Sequence, residues 1–159
     1  MIEGLLLALT LAAALGCGLI AGVFFAFSAF VMGALARLPS AQGIAAMQSI
    51  NIVVINPVFL GVFFGTAVLC FVLIVAALIA WGESGAMPLL AGSVLYLVGT
   101  IGVTMACNVP RNNALAAVAA DAADSTRVWS RYVAEWTAWN HVRTGAALLA
   151  AASFMIALS

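Results

Sequence analysis

The feature that most constrains this chain is the length of its uncharged stretches. Five arginines and five acidic residues are spread over 159 residues, and they leave 4–36, 38–82, 84–110 and 144–159 without a charge. A helix needs about 20 apolar residues to cross the hydrocarbon core of a bilayer. The first three stretches are long enough, and the fourth is long enough if its helix begins just before His141. The sequence therefore predicts an all-α membrane protein.

Composition excludes a water-soluble domain. Only 6% of the residues are charged and 67% are hydrophobic, whereas soluble domains carry roughly a quarter charged residues. We expect one membrane domain over residues 1–159, built as a bundle of four transmembrane helices. The predicted spans cover about 5–35, 57–81, 88–108 and 139–158.

Short interfacial helices are predicted in the first and third connections. Pro39 ends the first span, because the residue before a proline disfavours helical geometry, and Ser40 can cap a helix that continues to about Ile50. In the third connection, an alanine-rich helix is expected from Asn112 or Asn113 to about Asp124. A helix then restarts at Asp124 or Ser125 and leads into the last span.

Pairs of glycines four residues apart predict close packing between helices. Gly18 with Gly22, and Gly61 with Gly65, have the GxxxG spacing that lets helix backbones approach in membranes. The three cysteines lie singly in apolar runs without a CxxC pair, so we expect buried, inert thiols.

The polar residues of the spans gather at one side of the predicted membrane. This is informative because polar groups in a bilayer are costly and usually purposeful. An amide-rich mouth on an apolar bundle predicts a small-molecule pocket. The residues that approach this side are Ser28, Gln48, Asn51, Asn56, Thr104, Asn108, Asn112, Asn113, Asn140, His141 and Arg143.

Residues 136–144 are the most specific part of this polar side. Tyr132, Trp136, Asn140 and Arg143 follow one helical stripe, and Trp139 lies four residues before Arg143, where the two can stack. His141 points away from Arg143 on the same helix. The alternative interpretation is interfacial anchoring, because tryptophan and tyrosine collect at membrane surfaces and arginine reaches towards them.

His141 is the single histidine and the natural candidate for a general base, since its unperturbed pKa lies nearest neutrality. The alternatives are a hydrogen bond to a neighbouring helix, or axial ligation of haem. Asn108 and Asn112 could orient a ligand through their amides, or serve as turn residues beside Pro110. Asn56 before Pro57 is either a helix cap or a further substrate-binding residue.

The distribution of arginines predicts the orientation in the membrane. All five arginines lie in or beside the first and third connections, and neither terminus carries a basic side chain. The positive-inside rule therefore places the 36–56 and 109–138 connections in the cytoplasm and both termini outside.

Several segments together resemble the anthrone-oxygenase-like family of small membrane proteins, many of them bacterial and without assigned function. The similarity covers nearly the whole chain in order. The segments that carry it are Phe25-Ala26-Phe27-Ser28, Arg37-Leu38-Pro39, the run from Gly43 to Asn51, Asn56-Pro57, Asn108-Val109-Pro110 and the run from Trp136 to Thr144.

The resemblance implies an oxygenase-like oxidoreductase in a bacterial inner membrane. The family's fungal members oxidise anthrones to anthraquinones with dioxygen, so the implied partners are the lipid bilayer and a small lipophilic, aromatic substrate, with dioxygen as co-substrate and no bound cofactor. The implied site residues are Asn108, Asn112, Trp136, Asn140, His141 and Arg143, with His141 as the base and Arg143 or amides at the enolate oxygen. Arg111 departs from the apolar residue expected after the proline.

Two other classes of function stay open. The chain could bind haem through His141, or it could be a non-catalytic membrane module or small-molecule carrier. A homo-oligomer is compatible with either. Nucleic-acid binding has no support, because the net charge is near zero.

Overall fold

The computed structural model describes residues 2–159, with side chains from residue 4 onward, and all of the regular secondary structure in this range is helical. Five helices follow one another along the chain. Helix α1 comprises Ile2–Ala26, a π-helical turn at Phe27–Val31 and Met32–Leu35. Helix α2 is Ser40–Val53, α3 is Pro57–Ile79 and α5 is Ser125–Ala157. Helix α4 begins with Ala86–Val94, continues through the π-helical segments Leu95–Gly102 and Thr104–Asn108, and ends with Val109–Ala116.

Three of the helices are long and apolar enough to cross a membrane. They cover Gly4–Leu35, Pro57–Ile79 and Ala86–Ala116, in line with the first three predicted spans. Helix α5 falls outside this group although it has 33 residues, because its first half carries Arg127, Arg131 and Glu135 and its second half includes Asn140, His141 and Arg143. The chain is therefore a membrane protein with three candidate spans.

Helices α1, α3, α4 and α5 pack around a common apolar core. Helix α1 packs against α3 and α5, and α4 packs against the same two helices. Cys17, Cys70, Tyr96 and Phe154 are completely buried in this core, one from each helix. A second cluster lies where α2 packs on the first half of α5, around Met47, Trp129, Tyr132 and Trp136.

The predicted helix signals were right at one proline and wrong at another. Asn56 caps α3, because its Oδ1 accepts hydrogen bonds from the backbone N–H groups of Val58 and Phe59 at 3.0 Å. The predicted break at Pro110 was wrong. Helix α4 continues to Ala116 through the π-helical turn Thr104–Asn108, and the side chain of Arg111 donates to the carbonyl of Cys107 at 2.8 Å. Side chains commonly satisfy backbone groups in this way near a helical proline.

The connections differ from the prediction in two further respects. Ser40 does not cap α2; it is the first helical residue, and its Oγ donates to Oγ1 of Thr126 at 3.2 Å. The third connection, residues 117–124, contains turns rather than the expected alanine-rich helix. The first residues of that predicted helix, 112–116, belong to α4 instead.

Glycine permits close packing in this fold, but not at the GxxxG pairs. A Cβ at Gly18, Gly22, Gly61 or Gly65 would meet nothing within 4 Å, so these residues do not mediate a helix contact within the chain. The close approaches occur elsewhere. A Cβ at Gly99 would lie 2.5 Å from Cβ of Ala146, where α4 crosses α5, and a Cβ at Gly43 would lie 2.6 Å from the ring of Trp129.

Candidate active site

A cavity of about 360 Å³ lies where all five helices meet at the polar side of the fold. This volume is within the range of small-molecule sites, which are about 300–1,000 Å³. Its walls are mostly apolar and aromatic. The lining residues are Val23, Phe24, Phe27, Met47, Ile50, Asn51, Val54, Ile55, Phe59, Leu60, Phe63, Phe64, Thr104, Met105, Val109, Asn112, Trp136 and Arg143.

Among the described residues, Arg143 is the only charged one that lines this cavity, and its side chain is held between two aromatic rings. Its Cζ lies 4.0 Å from the ring centroid of Phe24 and 4.9 Å from that of Trp136. The residue is only 6% exposed. The ion pairs of the described residues involve Arg111, Arg127 and Arg131, so no described carboxylate lies within 4.0 Å of the Arg143 guanidinium. Arg143 is thus a buried cation without an acidic partner in the described part of the chain.

Asn140 fixes the direction of the Arg143 side chain. Nε of Arg143 donates to Oδ1 of Asn140 at 3.0 Å, and Nη1 donates to Oγ1 of Thr104 at 3.2 Å. Asn140 is itself anchored to α1, because its Nδ2 donates to the carbonyl of Phe24 and to Oγ of Ser28, both at 2.7 Å. The guanidinium is therefore held by three helices.

Asn112 joins α4 to two aromatic residues of α5. Its Oδ1 accepts hydrogen bonds from Oη of Tyr132 at 2.9 Å and from Nε1 of Trp136 at 2.8 Å. The rings of Tyr132 and Trp136 stack with their centroids 6.3 Å apart. Asn112 consequently sets the orientation of the ring against which Arg143 lies.

Irregular helix geometry surrounds this site. The π-helical turn of α1 includes Ser28, and those of α4 include Thr100, Thr104 and Asn108. Such π-helical insertions are rare in proteins as a whole, and those that occur often lie at functional sites. Here they bring Thr104 and Ser28 within hydrogen-bonding distance of Arg143 and Asn140, respectively.

Three of the other predicted site residues lie away from the cavity. Asn56 is used as the cap of α3. Asn108 is buried, and its Nδ2 donates to the carbonyl of Trp136 at 3.2 Å while its Oδ1 has no described partner. Trp139 is 36% exposed. The guanidinium of Arg111 lies 5.9 Å from the Trp139 ring, so the predicted stacking of Trp139 on Arg143 is replaced by Phe24 and Trp136.

The unexpected charge of Arg111 is directed away from the cavity. Its Nε donates to Oε2 of Glu135 at 3.1 Å, and Nε of Arg131 donates to the other carboxylate oxygen at 2.7 Å. Arg131, with a smaller contribution from Arg111, holds the pKa of the Glu135 carboxyl below its usual range. This ion network ties α4 to α5 at the surface.

His141 does not line the cavity. It is exposed and borders a separate shallow groove between α1 and α5, together with Ser28, Met32 and Thr137. Residues two apart on an α-helix are rotated by about 200°, so His141 and Arg143 face opposite sides of α5. The structure therefore does not support His141 as the base for a molecule held beside Arg143.

Sequence reasoning identified Arg143, Asn140, Asn112 and Trp136, which the structure brings together, but it missed Phe24. Phe24 is 4% exposed and forms the closest face of the guanidinium site. It lies in an apolar run of α1, and nothing in that run distinguishes it from Phe25 or Phe27.

A model of the family described as anthrone oxygenase matches residues 59–153, which is more than half of the chain. The matched region includes most of α3, all of α4 and nearly all of α5, and with them Asn112, Trp136, Asn140 and Arg143. No curated protein and no solved structure matches the chain. The arrangement defines a membrane protein whose cavity has aromatic walls and contains a buried arginine side chain. The chain belongs to the anthrone oxygenase family.

Proposed function

We propose that this protein is a membrane-embedded oxygenase that uses dioxygen to oxidise a small, flat, lipophilic substrate carrying a methylene group made acidic by a carbonyl. Family membership supports an oxygenase-like role. The observation that carries the proposal is the guanidinium of Arg143, which is buried in an apolar cavity without an acidic partner among the described residues.

A buried cation of this kind favours a ligand that is anionic or becomes so during reaction. A buried charge without a partner is energetically unfavourable. A ligand oxygen that gains negative charge beside Arg143 is therefore bound more tightly as that charge develops. An enolate oxygen fits this requirement. Preorganised donors at a developing oxyanion are commonly the largest contribution to catalysis, each worth about 10²–10³ in rate.

The chemistry is balanced without a further reductant. The acidic methylene loses a proton to water at the amide-lined mouth, and the enolate oxygen pairs with Arg143. The enolate carbon then forms a bond to dioxygen, and a proton completes a hydroperoxide. Loss of water breaks the O–O bond and the remaining C–H bond, so that CH₂ and O₂ become C=O and H₂O. Dioxygen is the co-substrate, and the proposal involves no bound cofactor.

Aromatic walls suit a planar substrate in this reaction. Phe24, Phe27, Phe63 and Trp136 line the cavity, and offset or edge-on aromatic contacts add to the free energy gained by burying apolar surface. Exclusion of bulk water also strengthens the interaction between the guanidinium and the enolate, because the effective dielectric constant is lower than in water.

The membrane arrangement of the site is part of the proposal. We propose that α5 crosses the bilayer as a fourth span, which makes residues 1–159 one four-helix membrane domain. The packing of α5 against both α1 and α4 supports this. The arginine distribution supports cytoplasmic 36–56 and 109–138 connections and external termini, with the cavity near the cytoplasmic face. The resemblance to a family with many bacterial members is the reason for proposing a bacterial inner membrane.

The experiment is an oxidation assay of the purified protein in lipid nanodiscs. Anthrone is supplied under ¹⁸O₂, and the label is followed by mass spectrometry, with protein-free nanodiscs as the control for spontaneous oxidation. The expected result is protein-dependent formation of anthraquinone with one ¹⁸O atom in the new carbonyl and the other in water. A rate equal to that of empty nanodiscs would contradict the proposal for this substrate class.

The absorption spectrum of the same preparation tests haem binding. A Soret band that disappears in a His141→Ala variant would replace the proposed mechanism by haem chemistry. Purification only together with a protein partner, with no bound small molecule and no oxidation, would favour a non-catalytic module.

A further inference from the structure

We infer that the cavity has a lateral opening to the bilayer between α3 and α4, flanked by Phe64 and Met105, and that a lipid-dissolved planar ligand enters by this route. The inference rests on the proposed function, since it concerns the ligand of the Arg143 cavity. Phe64 and Met105 both line the cavity, yet these two residues are 48% and 56% exposed. The cavity therefore reaches the outer surface of the fold at these two residues.

The surface at this opening is the one that faces lipid. On α3, Phe64 begins a row of exposed apolar residues at helical spacing that continues through Val68, Phe71, Val72 and Val75. Side chains three or four residues apart share one face of a helix. In a helix that crosses a membrane, an exposed apolar face of this length contacts acyl chains.

The matching face of α4 leads to the same point. Val94, Val98 and Met105 are exposed along this helix. A molecule dissolved among the acyl chains can therefore follow apolar surface from the bilayer to the cavity.

Contacts between α3 and α4 explain why the gap lies at this level. Oη of Tyr96 donates to the carbonyl of Phe63 at 3.0 Å, and the two rings contact each other edge-on with their centroids 6.4 Å apart. Nearer the polar side, no described hydrogen bond or aromatic pair joins Pro57–Val62 to Thr104–Ala116. The space between these segments is occupied by the cavity.

The cavity also adjoins a more polar cavity. A second cavity of about 620 Å³, here called the vestibule, shares Asn51, Ile55, Val109 and Asn112 with the first and is also lined by Gln48, Ile52, Asn113 and Ala116. Desolvating these amides by an apolar ring would be costly. The vestibule suits water and protons, whereas the Phe64–Met105 opening suits an apolar ligand.

Reversible closure of each route tests the inference. One variant carries Phe64→Cys and Met105→Cys; the matched control carries Ile52→Cys and Ala116→Cys, which lie across the vestibule. Both are made with Cys107→Ser, while Cys17 and Cys70 are completely buried. Each protein, in nanodiscs, is cross-linked with a short bis-methanethiosulfonate and later reduced, so that it serves as its own reference.

Two measurements are made on each state. The first is the rate of anthraquinone formation from anthrone in the bilayer. The second is the association rate of anthraquinone, followed by quenching of tryptophan fluorescence, which requires no turnover. We expect the Phe64–Met105 cross-link to lower both rates by about tenfold or more, because fewer encounters are productive, with recovery on reduction, and the Ile52–Ala116 cross-link to leave the association rate unchanged.

The outcomes separate the inference from the proposed function. Unchanged association after cross-linking Phe64 to Met105, loss of association after cross-linking the vestibule, or no anthraquinone binding by the unmodified protein would overturn the lateral route. Association that depends on the Phe64–Met105 opening, without any oxidation of anthrone, would support the lateral route and contradict the proposed function alone.

Discussion

Oδ1 of Asn140 accepts a hydrogen bond from Nε of Arg143 at 3.0 Å, so a neutral amide occupies a position where a carboxylate would form an ion pair. An Asp there would neutralise the guanidinium. The choice of an amide leaves the positive charge of Arg143 uncompensated within the described residues and free to act on a ligand. Replacing this one amide therefore tests whether the positive charge of the cavity acts on a ligand.

An Asn140→Asp variant should lose more affinity for anions than for neutral ligands. The new carboxylate pairs with Arg143 and removes the net charge of the cavity. We expect the Kd of anthracene-9-carboxylate to rise by about tenfold or more, the equivalent of at least 1.4 kcal/mol. The Kd of neutral anthraquinone should rise less, and only because the new carboxylate cannot donate to Phe24 and Ser28 as Nδ2 of Asn140 does. Both are measured by fluorescence quenching in nanodiscs, and an equal loss of affinity for the two ligands would point to disrupted packing instead.

His141→Ala should retain the oxidation rate within about threefold, because His141 faces the groove between α1 and α5 and not the cavity. For the same reason, the pH profiles of the two proteins should coincide between about pH 5.5 and 8, the range in which histidines commonly change charge. Initial rates of anthraquinone formation provide the measurement. A large loss of rate in the variant, with an intact fold, would restore His141 as the base.

Asn112→Leu should destabilise the protein and raise KM, since Oδ1 of Asn112 accepts from both Tyr132 and Trp136. A buried donor that loses its acceptor costs about 1–3 kcal/mol, and release of the Trp136 ring loosens one wall of the guanidinium site. The matched control is Asn113→Leu, because Asn113 is exposed and has no described side-chain hydrogen bond. Thermal unfolding in detergent and steady-state kinetics should separate the two; equal effects would mean that Asn112 does not position Trp136.

Gly99→Ala should destabilise the contact between α4 and α5 by about 1–3 kcal/mol, the usual cost of overpacking, because the added Cβ would lie 2.5 Å from Cβ of Ala146. Combining it with Ala146→Gly should recover part of the loss. Gly61→Ala is the control: its Cβ meets nothing within 4 Å, and helix propensity favours alanine there. The unfolding midpoints of the variants provide the measurement. A Gly61→Ala variant less stable than Gly99→Ala would show that the GxxxG pair contributes more to stability than the α4–α5 crossing.

Much of the fold could be predicted from the sequence, since long uncharged runs and the Asn56-Pro57 cap are local signals. The continuation of α4 through Pro110 could not, because it depends on a π-helical turn and on the Arg111 side chain reaching the carbonyl of Cys107. The glycines that permit close packing were also missed. Whether a glycine faces another helix or open space is decided by tertiary packing and not by its spacing.

The site was partly predictable for a similar reason. The helical stripe of Trp136, Asn140 and Arg143 follows from spacing within α5, and the same spacing already separates His141 from Arg143. The choice of His141 as base rested on its intrinsic pKa and gave less weight to this geometry. Phe24 and Thr104 contact the guanidinium from other helices, and such contacts between distant segments leave no pattern in a single sequence.

The central claim is tested most directly by the rate at which an Arg143→Met variant forms anthraquinone in nanodiscs. This rate is compared with the rates of the wild-type protein and of Arg143→Lys. Methionine keeps an apolar side chain of moderate length but removes the charge, whereas lysine keeps the charge and loses the planar fork. We predict a loss of about 10²-fold or more for Arg143→Met, as for removal of an oxyanion-stabilising donor, and a smaller loss for Arg143→Lys, with anthraquinone binding retained in both. An Arg143→Met protein that is folded, binds anthraquinone and oxidises anthrone at the wild-type rate would contradict the role of Arg143.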